Sequence, residues 1–228
     1  MFKTNWRTKK VGIIIMSSLI VLAVVLLIDF TNNRTQGYED TISVDDAVSI
    51  QKERGDMLCQ PNRNVTYIML YSETKYNKAK GIDKSMTEIE EGLVRSEALC
   101  WYADNHGLKP SDKDIEKYID QLVSDIKASE EYDEYEAAAE AHGTTYEEIL
   151  RNDLETYRIT QTVENVYQSV MKQYQQDGKL STAEQEEKDE MMQAAWNDFV
   201  KKTIEEYKSS SDYSVLKREF REAEKKLQ

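Results

Sequence analysis

Glycine and proline are scarce in this chain, at 8 and 2 of 228 residues. Hairpin turns and phosphate-binding loops draw on glycine, so an all-β or α/β enzyme fits poorly. Cysteine is nearly absent as well. Cys59 and Cys100 carry no framework signature, and the pair reads either as one exported disulfide or as two small packed thiols. The two histidines, His106 and His142, each stand in an Ala-x-x-His-Gly pentapeptide, and neither HGLK nor HGTT matches a zinc pattern. A histidine just before the glycine that ends a helix has a plain role beside the free carbonyls there. Both therefore read as punctuation between helices. The chain holds no Gly-rich phosphate loop, no GxSxG and no HExxH. No catalytic residue, metal or cofactor is expected.

Positive charge is the next shortage. The formal charge is −13. Setting aside residues 1–30, with four basic residues and one acidic, leaves 26 basic and 42 acidic side chains, a balance of −16. A phosphate backbone is bound by a basic surface, so nucleic acid is not an expected partner. Acid pairs such as Glu90–Glu91, Glu130–Glu131 and Glu147–Glu148 read as solvated helix faces.

One long hydrophobic run is present. Val11 to Ile28 is uncharged, and at helical rise it spans about 27 Å, close to a hydrocarbon core. Lys3, Arg7, Lys9 and Lys10 precede it, and Asp29, Glu39 and Asp40 follow. The positive-inside rule then predicts a cytoplasmic tail (1–10), a transmembrane signal-anchor (11–29), and an extracytoplasmic remainder. The run is long for a cleaved signal peptide and ends without Ala-x-Ala. Residues 30–42 read as a polar linker, and 43–228 as the folded part.

Along that part, abundant Glu, Lys, Ala and Gln predict helices. A first helix opens at Ser43, and Pro61 interrupts the chain. Val65 to Tyr71 reads equally as a strand or as part of a helix reaching Gly81. Met86, Ile89, Leu93, Cys100 and Ala103 make one helical stripe ending at Gly107. Ser111 then caps a helix whose apolar face is Ile115, Tyr118, Ile119, Leu122, Val123 and Ile126. A short Ala-rich helix covers Glu131 to His142. Beyond Gly143, Thr144 and Thr145 offer overlapping capping boxes for one long helix from Tyr146 to Tyr174. The polar stretch Gln175–Glu190 is a linker or a solvated helix start. Met191 to Tyr207 and Tyr213 to Leu227 complete an all-α bundle in which no helix can bury its face alone.

The stretch "EEGLVRSEALCWYADNHGLKPSDKDIEKYIDQL…YEAAAEAHGTTYEEILRNDLETYRI" resembles the N-terminal chaperone domain of the SurA and PrsA foldases, a fold related to the client-binding arm of trigger factor. Gly107, Ser111, Ile115, Gly143, Thr144 and Leu150 sit where that family has its punctuation. The resemblance covers 87–168, roughly a third of the chain. It implies a cradle of helices that holds polypeptides, with 190–228 packing back on it. In those foldases a parvulin prolyl-isomerase domain usually follows. Here only helical stretches remain after residue 176, so isomerase activity is not carried over.

All 14 tyrosines lie outside the membrane run. Tyrosine, tryptophan and methionine suit adaptable contact surfaces, although any one of them is just as serviceable in a core. The expected activity is therefore the binding of unfolded or exported polypeptides, without ATP or catalysis, by a membrane-anchored protein. The candidate contact residues are Tyr157, Tyr167, Met191, Met192, Trp196 and Phe199. The alternatives are a scaffold that holds one dedicated partner at the cell surface with the same fold, and a reduced prolyl isomerase.

Overall fold

The computed structural model describes residues 42–176 and 185–227, which form nine helices and no strand. No described helix is long and apolar enough to cross a membrane. The expected anchor, 11–29, and the tail before it lie outside the described residues.

Helix starts follow the side-chain chemistry of the caps. α1 (Val44–Leu58) begins at Ser43, whose Oγ accepts the Asp46 amide at 3.1 Å. α2 (Val65–Ala79) begins at Asn64, whose Oδ1 accepts the Tyr67 amide at 2.8 Å. The ambiguous run Val65–Tyr71 is thus helical. The asparagine cap and the burial of Ile68, Leu70 and Tyr76 outweigh its β-branched start. α3 (Met86–His106) and α4 (Asp112–Lys127) each open with a reciprocal capping box, Ser85 with Glu88 and Ser111 with Asp114. α5 (Tyr132–Ala141) follows. Gly107 and Gly143, which end the helices carrying the histidines, have φ of 65° and 75°, a region that favours glycine.

The expected long helix from Tyr146 is broken. α6 (Tyr146–Asn152) stops at Asp153, and α7 (Leu154–Gln176) starts after it. The Asp153 carboxylate accepts from Arg54 Nε at 3.0 Å, from Arg54 Nη2, and from Thr156 Oγ1 at 2.5 Å. The break residue thus carries one half of a buried ion pair with Arg54. Gly55, beside Arg54, lets α1 approach closely: a Cβ there would lie 3.0 Å from the Asn152 Cβ.

Two bodies of core result. In the first, Val48 of α1, the stripe Ile115, Ile119, Leu122, Val123 and Ile126 of α4, and Tyr135, Tyr146, Ile149, Leu150 and Tyr157 form one buried cluster, with Tyr118 half-buried against it. In the second, α3 is the central helix. Its Leu99 and Ala103 pack on α7 and on α8 (Gln185–Lys208). Its Val94 and Ala98 meet Tyr207 of α8 and Leu216 and Phe220 of α9 (Ser211–Leu227). Ile89 meets Leu70 of α2 and Ala223 of α9. The two C-terminal helices therefore pack back on the earlier ones. Of the expected α3 stripe only Ile89 and Ala103 are buried, while Met86, Leu93 and Cys100 are half-buried; because α3 is covered on several sides, Val94, Ser96, Ala98 and Leu99 are buried instead.

Candidate functional site

All six candidate contact residues lie on α7 and α8, and four of them share one cluster. Trp196 is buried, while Tyr167, Met192 and Phe199 are half-buried around it. The rings form a connected row. Tyr167 meets Trp196 edge-on at 5.2 Å between centroids, Trp196 stacks on Phe199 at 5.6 Å, and Phe199 meets Tyr102 edge-on at 5.0 Å. Tyr102 in turn stacks on His106 at 3.8 Å. Leu108 and Val170 add half-buried aliphatic surface beside the row. Met191 is half-buried next to Met192 but is not packed into the cluster. The arrangement is a partly open aromatic and thioether face whose innermost ring is fixed by packing.

Tyr157 does not belong to this face. It is 1% exposed in the first core, beside Tyr118, and burial chiefly pushes its hydroxyl well above the ordinary range. The reason is its register: four residues after the break at Asp153 it still packs with α4 and α6. As a contact residue it is corrected to a core residue.

The histidines are separated by function and partner. His106 Nδ1 lies 2.8 Å from the Tyr102 carbonyl, to which its N–H donates, and so serves the end of α3. His142 Nε2 lies 3.1 Å from Asp45 Oδ1 and ties the end of α5 to the start of α1. No group of three or more His, Cys, Asp or Glu among the described residues is placed to hold a metal. Cys59 and Cys100 are free thiols. Burial, then Glu97 nearby, pushes the Cys100 thiol up to about 12, which favours the protonated thiol over the thiolate.

A second feature is a cleft of about 50 Å³ walled by five helices, mostly apolar in lining but holding several buried polar and charged groups. α1 gives Arg54; α2 gives Thr66, Met69, Ser72 and Glu73; α3 gives Leu93, Ser96 and Glu97; α7 gives Thr156 and Ile159; α9 gives Leu216 and Phe220. Sites for cofactors and drug-sized substrates run to about 300–1,000 Å³, so this one is far too small for either. Burial opposes the charge on Arg54, but the adjoining Asp153 carboxylate more than offsets that and holds the guanidinium above its usual range. Burial raises Glu73 above the ordinary carboxylate range despite a hydrogen bond from Asn77 Nδ2 at 3.1 Å. Glu97 is also raised, first by burial and then by Glu219.

Sequence reasoning missed this cleft. The signal was there in register: Arg54 falls in step with Val48, Gln51 and Leu58 on the buried side of α1, and Glu73 with Leu70 and Asn77 on that of α2. A charged residue in an apolar register marks a buried polar network. No family model, curated protein or solved structure matches the chain.

Proposed function

We propose that the region from residue 43 onward holds unfolded or exported polypeptides, carried outside the cytoplasm on the 11–29 anchor, without ATP, metal or bond-making chemistry. The observation that carries this reading is the half-open row Tyr102–Phe199–Trp196–Tyr167 with Met192 alongside. Such rings offer large apolar area with polar tips, and the thioether adapts to varied side chains, which suits loosely specified clients. The resemblance over 87–168 to foldase chaperone domains supports the same reading. Residues 177–184 alone separate α7 from α8, too short a span to build the sheet of an inserted parvulin domain.

The test is light scattering of a chemically reduced client protein in the presence of the full chain in nanodiscs. The expected result is suppressed aggregation near equimolar ratio, weakened by the pair Tyr167→Ser and Phe199→Ser. Unchanged aggregation at molar excess of the chain would overturn the reading.

A further inference from the structure

The cleft contains more negative and hydrogen-accepting character than its walls satisfy. Glu73 is 7% exposed, and no described cation comes within ion-pair distance of it. The one guanidinium in the cleft, Arg54, is already engaged by Asp153 through Nε and Nη2. The hydroxyl of Ser72, 2% exposed and in the cleft wall, meets no hydrogen-bond partner, and neither does Oδ1 of Asn77 behind it. On α3, Glu97 feels the charges of Glu219 of α9, Lys109 beyond α3 and Glu155 of α7, two of the three repulsive. The remaining wall is mostly apolar, Val65, Met69, Leu93, Ile159, Leu216 and Phe220, with Thr66, Ser96 and Thr156 between them. Buried carboxylates are normally paired with a cation, and buried acceptors with a donor.

We infer that this cleft is a binding site for an alkylammonium group, the end of a lysine side chain or of a free primary amine. An ammonium supplies one positive charge and three donors, and its methylene stem suits the apolar wall. The volume fits this ligand: a water-sized group needs about 10–15 Å³, so the cleft takes an ammonium with a few carbons but no larger molecule. Phe220 stands in the wall, where its ring can face a cation. The chain's overall acidity raises the local concentration of such cations. The cleft shares no residue with the aromatic face, so the inference stands apart from the proposed holding activity.

A proton competes with this ligand. Glu73 faces Arg54 of α1, Asn77 and Lys80 of its own helix and termination, and Lys84 beyond it. Glu97 faces Glu219, Lys109 and Glu155. Because burial favours the neutral carboxyls, occupancy must fall as pH drops into the range where Glu73 takes up its proton.

The Met69 methyl in the wall is a reporter. The full chain, labelled with methyl-¹³C methionine and held in nanodiscs, is titrated with n-butylammonium chloride, with 1-butanol, and with an acetyl-Gly-Lys-Gly-amide peptide at constant ionic strength. Met69→Leu identifies the signal. The expected result is a saturable Met69 shift with an ammonium-bearing probe and none with 1-butanol, weakened at least about tenfold by Glu73→Gln and by acid. A response to the peptide alone assigns the site to a polypeptide-borne lysine, and a response to butylammonium alone assigns it to a small amine. Ser72→Ala, a milder change, should weaken the same shift several-fold while the other methionine signals stay in place. Equal shifts with 1-butanol, or no saturable shift with any probe, would overturn the inference and leave a cleft filled by water.

Discussion

The same residue type meets opposite fates in the two cores. In the α4–α6 core, Tyr135, Tyr146 and Tyr157 are sealed among isoleucines and leucines, each 6% exposed or less. In the α3–α7–α8 core, Tyr102, Tyr167 and Phe199 form a half-open row around Trp196. The first core lies under four short helix segments and the start of α7, and these three rings are closed in, with Tyr118 and Tyr132 half-buried at its edge. The second is built on three long helices, whose outer rings remain partly in water. Tyrosine content alone therefore says little about binding; the length and crossing of the helices around a ring decide whether it can meet a partner.

The contrast is sharpest in what a mutation does. Removing one member of the Arg54–Asp153 pair leaves a buried charge unmatched, and Asp153→Ala should lower stability by about 3–5 kcal/mol. Urea unfolding followed by circular dichroism checks this. The double change Arg54→Met with Asp153→Leu should recover most of the loss. Ile119→Ala, in the sealed core, should cost about 2–5 kcal/mol. Phe199→Ala, in the open row, should cost clearly less while weakening client holding more. Equal losses at 119 and 199 would erase the distinction between the two cores. Ser111→Ala removes the α4 cap and should cost about 1 kcal/mol in the same assay.

The pH dependence separates the cleft from both cores. The folded-state pKa values of Glu73, Glu90 and Glu97 are raised, chiefly by burial. A raised carboxylate contributes stability that is full below its ordinary value of 4.5 and is lost as pH rises through the folded value. Glu73→Gln should accordingly stabilise the chain at neutral pH and have little effect near pH 4. Glu53 works the other way. Burial opposes its charge, but the hydrogen bonds from Lys75 and Tyr71 outweigh that and hold it below the ordinary range, so its contribution is lost in acid. A destabilising Glu73→Gln at neutral pH would contradict the cleft as described.

Much of the fold was legible in sequence because its signals are local. Ser43, Ser111 and Gly107 mark helix ends through their own side chains or backbone, and the α4 stripe needs no partner to be read. The break at Asp153 was not legible, because the partner its carboxylate meets, Arg54, lies 99 residues earlier in the chain. The row on α7 and α8 was legible as composition and not as exposure. Tyr157 and Tyr167 look alike in sequence, yet ten residues of helix carry one into the sealed core and the other to the open face.

The most direct test of the holding face is site-specific photocrosslinking. A benzophenone side chain is placed at Phe199, at Tyr167, and at Val215, an exposed apolar control on α9 that is 42% accessible. The expected result is client adducts from positions 199 and 167 and few from 215. Adducts equally abundant at 215, or absent from all three while client aggregation is still suppressed, would contradict the assignment of the aromatic row as the holding face.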